Sequence, residues 1–515
     1  MQNRTKKQAK KIKPSGSKSS TTSEVGKKRT KKRTAKKFFI TTSIPYANAA
    51  PHVGHALEFV QADVMARRAR QEGKQVFFLT GVDEHGDKIN RVAAQSGLAA
   101  KDYVDETSKK FKALKKTLDI SYDDFIRTTD KKKHWPGAYK LFGELQKKGD
   151  IYKKDYDGLY CVGCEKFLTE KDLEGGLCPL HNKAPERISE ENYFFRLSRY
   201  ASKVRSAITS GKLEIIPETR KNEVLAFIDE GLEDVSFTRS KRSVPWGIPV
   251  KGTDQVMYVW CDALSNYISA IGYGRDTKNF NKWWPAETQL VGKDIFRFHA
   301  IYWPAMLISA GLPLPKRLLI HGFVTIDGQK ISKSIGNVIS PEEAAEKFGR
   351  DALRYYLLRE IPSDGDGDFS FEKLATRYQD DLAKGLGNFA SRILNMAAGE
   401  IFPEKISSSK PVRDEIKRAE ARVKKHFDEF RLNDAVSAIF DLIKFGDAYI
   451  NDKKPWQNKS HKVLADLVAM LHEVAYLIEP FMPETSKKII LAMNIKGGKM
   501  KPKKIAPLFP RIEKE

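Results

Sequence analysis

The sequence predicts an α/β protein: a parallel sheet interrupted by an inserted module and followed by an all-α domain. Three features carry that expectation. Residues 38–80 read strand, helix, strand; three of the four cysteines fall within eighteen residues further on; and beyond Gly367 apolar residues recur at helical spacing almost to the end of the 515 residues. A chain of this length holds several domains and ample core.

The chain opens on charge. Of the net +25, +14 lies in residues 1–37, which hold fifteen Lys and Arg against one Glu. With almost no apolar residues this stretch cannot offset its ordering entropy, so a disordered basic tail is expected. It reads either as a solvated tail that aids solubility or as a salt-dependent attractor of RNA phosphates. A mitochondrial transit peptide would be Arg-rich and amphipathic; this tail is Lys-rich with no apolar face. No run of 18 or more apolar residues occurs. The best candidate, Val463 to Met482, is broken by Asp466, His472, Glu473 and Glu479, so a membrane span is not expected.

Residues 38–148 are Rossmann-like. A β-rich run, Phe38 to Ser43, passes through small residues into His52-Val-Gly-His55. A helix-periodic run follows, with Leu57, Val60, Val64 and Met65 apolar; Gly73 closes it, and Gln75 to Thr80 is the next strand. Such a unit is a right-handed parallel crossover. His52 and His55 stand where helix N–H groups and the dipole attract phosphate, and Gly54 lets a ligand approach the backbone. Taken alone a four-residue match is weak, and a turn with incidental histidines would read the same. Thr80-Gly-Val-Asp-Glu-His-Gly86 puts polar groups at the C-terminal end of a strand, where open sheets bind ligands; a plain Asx turn is the alternative. Asp124 to Arg127 is a further strand.

Near Gly149 the texture changes. Cys161-Val-Gly-Cys164 and Cys178-Pro-Leu-His181 are separated by thirteen residues. Two such knuckles offer three thiolates and one imidazole, a closed tetrahedral set suited to one structural Zn2+ in a reducing compartment. Residues 149–237 read as an insertion held together by that metal. The α/β part resumes over 238–327. Gln255 to Asp262 reads as a near-continuous buried strand of the sheet, and Gln289 to His299 as a strand turning into a helix, with His299, Tyr302 and Trp303 on its first turns. An aromatic group of that kind is more often core than pocket. In residues 328–375, Lys330 and Lys333 share a loop with Ser332 and Ser334, with Gly328 before it and Gly336 after. Two lysines and two hydroxyls there can wrap a triphosphate, or form an ordinary basic loop. Residues 376–515 close the chain as a bundle; four amphipathic helices are expected, at Phe371 to Glu400, Val412 to Phe430, Asp434 to Asn451 and Ser460 to Pro480.

His52-Val-Gly-His55 and Lys330-Ile-Ser-Lys-Ser334, in that order on a split α/β sheet, resemble the two signatures of class I aminoacyl-tRNA synthetases. The Pro45-Tyr-Ala-Asn48 segment, Val82-Asp-Glu-His-Gly86, Tyr258-Val-Trp-Cys-Asp-Ala263, Gly292-Lys-Asp294 and His321-Gly-Phe-Val narrow the resemblance to the methionyl-tRNA synthetase family, from about Phe38 to near the C-terminus. Val53 stands where Ile or Leu is usual, and Ile331 where Met is usual; both are apolar exchanges.

The resemblance implies ATP-dependent attachment of L-methionine to tRNA(Met) through a methionyl-adenylate, with AMP and pyrophosphate released, for translation initiation and elongation. It implies His52, His55, Lys330 and Lys333 as the catalytic groups. Gly54, Gly292, Asp294, Ser332 and Ser334 would join them at ATP, with Mg2+ carried on the phosphates. It implies a methionine pocket of Ile44, Tyr46, Asp83, Trp260, Ala263, Tyr267, Ile295 and His299, in which Asp83 pairs with the ammonium and the aromatics pack on sulfur. It implies anticodon reading by Asn388, Arg392 and Trp456; without the resemblance, Trp456 would read as core. One knuckle pair places the chain with single-zinc relatives, and a cytoplasmic monomer is expected. Synthetases for leucine, isoleucine or valine share the signatures but carry a larger editing insertion than residues 149–237 provide. A cysteine enzyme would use zinc in its pocket, and an idle tRNA-binding relative would not need both signatures intact.

Overall fold

A computed structural model describes residues 35–163, 166–179, 182–331, 336–458 and 460–511, and residues 36–515 form one compact unit. The basic tail up to residue 34 therefore lies outside the described residues, as do Cys164, His181, Ser332, Lys333 and Ser334.

The centre is a six-stranded parallel sheet. Its strands are β1 (Lys37–Thr41), β2 (Gln75–Val82), β3 (Asp124–Arg127), β4 (Glu214–Ile216), β5 (Thr288–Gly292) and β6 (Arg317–His321), in the spatial order β3-β2-β1-β5-β6-β4. Helix α1 (Val53–Gln71) crosses from β1 to β2, and Gly73 just past its end has φ +74°. The strands alternate between two cores, as their period of two requires. Phe38, Ile40, Phe78, Leu290 and Leu319 face one core; Phe39, Leu79, Val291, Leu318 and Ile320 face the other. Both faces are covered, which is why the strands read as apolar runs.

Three expectations change. The inserted stretch is not wholly separate from the sheet. Ile151–Cys161, Lys166–Leu168, Glu186–Phe195 and Val235–Ser236 form their own antiparallel sheet, but β4 joins the parallel sheet beside β6. A strand of three residues is too short to signal by pattern. Residues 255–262 do not return to the parallel sheet. Only Gln255–Met257 is extended, antiparallel to Thr238–Ser240, and the chain then turns into helix α2 (Val259–Leu264). Every residue of α2 is buried, so it has no polar face to betray its period, and its Val, Trp and Cys content imitates a strand. Lys330 ends a two-residue strand, Gln329–Lys330, opposite Val324–Ile326, rather than lying in an open loop.

The C-terminal part is helical, as expected. Helix α3 (Arg350–Glu360) precedes a run from Phe371 to Met396 that widens into a π-type turn over residues 378–387. Then come α4 (Lys410–Asp428), α5 (Leu432–Lys453), α6 (His461–Ile478) and α7 (Pro483–Met493). Helix α7 and a three-stranded ribbon of two-residue strands at 402–403, 495–496 and 499–500 have no counterpart in the sequence reading. Among the described residues no helix is long and apolar enough to cross a membrane.

One buried ion pair fastens this bundle to α1. Arg354 of α3 is fully buried; it meets Asp63 of α1 at 2.8 Å and donates to the carbonyls of Leu118 (3.0 Å), Pro480 (2.7 Å) and Phe481 (2.8 Å). Asp63 also accepts from Arg67 and from the Ser121 backbone and hydroxyl. Burial would raise its carboxyl pKa, but these partners hold it below the usual range. Removing Arg354 leaves buried Asp63 with only Arg67 and Ser121, and takes a donor from three carbonyls. Arg354→Met is expected to lower the unfolding free energy by about 3–5 kcal/mol in urea denaturation. A loss below about 1 kcal/mol would show that water relieves the pair.

Candidate active site

The sheet order reverses between β1 and β5, and at such a point the loops at the carboxyl ends of the strands part to leave a crevice. The residues after β1, β2, β5 and β6 meet here. His52 caps α1: its Nδ1 accepts from the Gly54 N–H at 3.1 Å, and the His52 N–H donates to His55 Nδ1 at 3.2 Å. With both Nδ1 atoms accepting, both rings carry their proton on Nε2 and present an N–H donor. The rings are 3.9 Å apart between centroids. Burial lowers the His52 pKa to about 4; burial and then the charges of His52 and His321 push His55 well down. At neutral pH the pair is uncharged.

Ile331, the last described residue of the second signature before residue 336, reaches the same place. A methyl group built on Gly54 would lie 3.8 Å from Ile331 Cδ1, and the Val53 N–H donates to the Ile339 carbonyl at 3.1 Å. Below the histidines, Glu58 of α1 accepts from the Ser43 N–H (2.5 Å) and contacts His321 Nε2 (3.1 Å), while His321 Nδ1 faces the Gly322 carbonyl (2.8 Å). Burial alone would lower the His321 pKa, but Glu58 and the carbonyl raise it. Gly292 leaves room for Asp294: a Cβ there would sit 2.7 Å from Asp294 Oδ1.

The predicted pocket residues converge on the other face. Tyr46 bridges Asp83 across neighbouring strand ends, and Asp83, nearly fully buried, accepts from Thr128 and from the His85 N–H at 3.3 Å each. Trp260 of α2 stacks on Phe298 with 3.5 Å between centroids and 6° between planes. His299 Nδ1 donates to the Ile295 carbonyl at 3.0 Å, which leaves Nε2 to accept from the Tyr267 hydroxyl at 2.7 Å. Ile44 and Ile295 pack against the same apolar cluster, and Ala263 is buried on α2.

The other predicted groups lie apart. Cys161 and Cys178 share a small buried cluster with Leu168, flanked by Leu159 and Leu173. A tight turn closes on Cys178, with Asn182 N–H to the Cys178 carbonyl at 2.7 Å and Asn182 at φ +49°. Two thiols gathered under one apolar cover fit half of the proposed metal set. In the bundle, Asn388 and Arg392 lie one turn apart on one helix, and Arg392 reaches Asp447 (3.2 Å) and Asn451 (3.1 Å) of α5. Trp456, just past α5, is 50% exposed, which removes the core reading.

Sequence reasoning gave no role to Glu58, His321, His85, Asp262 or His134. Glu58 carried a signal, a carboxylate among apolar residues on the buried first half of α1. His85, Asp262 and His321 stood in quoted motifs and His134 in none, and their contacts join segments far apart in the chain.

A sequence profile for class I tRNA synthetases of the methionine type matches residues 38–187 and 171–394, and one for the anticodon-binding domain of tRNA ligases matches 410–510. A methionine–tRNA ligase of Caldanaerobacter subterraneus is 43% identical over 510 residues, covering 93% of this chain and 80% of that protein. One from Thermotoga maritima is 41% identical, covering 88% and 74%. The structure of Mycobacterium tuberculosis methionyl-tRNA synthetase in complex with methionyl-adenylate aligns with a TM-score of 0.87 at 37% identity, over 92% of this chain and all of that one.

The His299 environment has a measurable consequence. Burial lowers its pKa from 6.5 to about 4. Between those values the unfolded chain holds more protons, so stability falls as pH drops through that window. By pH 5 the loss is about 2 kcal/mol. His299→Gln is expected to flatten the decline in urea denaturation between pH 7 and 5; an unchanged slope would mean that the imidazole protonates freely in the folded state.

Proposed function

The chain belongs to the class I methionine–tRNA ligases, and from that premise we propose how its residues carry the reaction. The enzyme couples ATP to the attachment of methionine to tRNA through a methionyl-adenylate. The methionine carboxylate attacks the α-phosphorus in line as pyrophosphate leaves. The ribose 2′-hydroxyl of the terminal adenosine of tRNA(Met) then takes the acyl group and AMP departs. Neither step needs a protein nucleophile; both need the reactants held in line and the phosphate charge stabilised. Initiator and elongator tRNAs are both taken as acceptors.

The observation that carries this reading is the meeting of Gly54 and Ile331, which sets the two signatures against one another. His52 and His55 supply neutral Nε2–H donors to the phosphates. Lys330 and Lys333 supply the positive charge that the histidines lack, with Ser332 and Ser334 beside them, and Mg2+ arrives on the ATP. Gly292 and Asp294 take the nucleoside side. Asp83 pairs with the ammonium of methionine, and Ile44, Tyr46, Trp260, Ala263, Tyr267, Ile295 and His299 enclose the thioether. Cys161, Cys164, Cys178 and His181 hold one zinc ion, which orders the module between the two halves of the sheet. Asn388, Arg392 and Trp456 read the anticodon, with the exposed indole stacking on a base for about 1–3 kcal/mol. We take the enzyme as a cytoplasmic monomer.

Pyrophosphate exchange with each of the twenty amino acids tests the assignment: methionine alone is expected to support rapid exchange, with slow exchange for close analogues because a methylene discriminates by only about 1–3 kcal/mol. Lys333→Ala is expected to slow adenylate formation by roughly 100-fold or more with methionine affinity nearly unchanged, so near-normal exchange at saturating ATP would remove the loop from the mechanism. Trp456→Ala is expected to impair tRNA charging far more than amino-acid activation. Equal losses in the two assays would reject the anticodon role.

A further inference from the structure

Behind the pocket wall lies a buried polar chain that joins three distant segments. Asp262, fully buried on α2, sits between two imidazoles: His85 Nδ1 is 2.6 Å from its Oδ2, and His134 Nε2 is 2.6 Å from its Oδ1. His134 Nδ1 contacts the Ser269 hydroxyl at 2.8 Å. His85, His134 and Ser269 are themselves buried. An ionised carboxylate only accepts, so both imidazoles donate to it, and these charge-assisted bonds are among the strongest a side chain makes.

The geometry explains why such a bond set stands here. His85 follows Asp83 by two residues, and its N–H donates to Asp83 Oδ1. Thr128, which contacts Asp83 through its hydroxyl, also accepts from the Trp135 indole, next to His134. On the other side, Trp260 and Ala263 flank Asp262 on α2, and Tyr267 follows one turn later. The wall that presents Asp83 and the wall that presents the aromatics thus meet at one carboxylate. A helix of six residues has few hydrogen bonds of its own to fix its position.

We propose that Asp262 is a positioning residue for amino-acid recognition: through His85 and His134 it sets the distance between the Asp83 carboxylate and the Trp260–Ala263–Tyr267 surface. The proposal rests on the methionine pocket assigned above. Asn is isosteric at this site but offers one acceptor and one donor. In Asp262→Asn, one imidazole must change tautomer or lose its bond, and the two walls lose their common anchor. The phosphate side, built on α1, β5 and β6, has no part in this chain.

The test is pyrophosphate exchange with the full-length protein, titrating methionine and ATP separately. Asp262→Asn is expected to raise the methionine KM by about tenfold or more, with the ATP KM within about twofold of the parent. An unchanged methionine KM, or equal changes in both constants, overturns the proposal. Should Asp262→Asn not fold, His134→Phe and His134→Gln decide. Phe removes the donor and is expected to raise the methionine KM selectively; Gln keeps an N–H for Asp262 and is expected to show a smaller rise. Equal effects from Phe and Gln overturn the proposal. Loss of methionine-dependent exchange in the unmodified protein would instead sink the pocket assignment, so the two failures are distinct.

Discussion

Everything in this protein hangs on β1 having a parallel neighbour on each side. It pairs with β2, its sequence neighbour, and with β5, which arrives about 250 residues later. Parallel pairing needs a crossover on each side, and the two crossovers leave in opposite directions. The crevice at the carboxyl end of β1 is therefore a product of connectivity, whatever side chains line it. The chain then places α1 over one side of that opening and the segment after β5 over the other. The inserted sheet and α2 are threaded between β3 and β5.

The site divides electrostatic work between unlike groups. Two imidazoles 3.9 Å apart could not both be charged in a buried setting, and burial lowers both pKa values. Their capping bonds fix them as neutral donors, which costs no charge desolvation and gives direction. His321 goes the other way: Glu58 and a carbonyl raise its pKa against the effect of burial. In the proposed mechanism, charge for a triphosphate comes instead from Lys330 and Lys333 of the second signature.

Local pattern made β1, α1, β2, β3, β5 and the helices at 410–478 legible, because each keeps one period long enough to read and ends at a Gly or polar cap. It failed at α2, buried on all sides, and at β4, three residues long. The signatures were legible as motifs, while their meeting was not, because Gly54 and Ile331 are brought together only by the crossover through β5 and β6. Trp456 shows the limit of composition: an indole reads as core until its exposure is seen. Asp262 shows it more sharply, since its two partners lie 177 and 128 residues away, and spacing along the chain carries no trace of such a contact.

Helix α1 explains why the bundle and the crevice form one unit. Its first turn holds the capping histidines, its middle holds Asp63 against Arg354, and its last turns meet α6 through Arg67 to Glu479 (3.3 Å) and Gln71 to the Tyr476 carbonyl (2.8 Å). Nineteen residues make a rod of about 28 Å, stiff on the scale of side-chain motion. Arg354 spends its donors on Asp63 and on carbonyls at both ends of the junction, so sliding α3 or the turn after α6 would strand a buried cation. The helical domain is thus keyed to the helix whose N-terminus borders the crevice. The distance between the bundle and the reacting centre is set by one rigid element rather than by a linker.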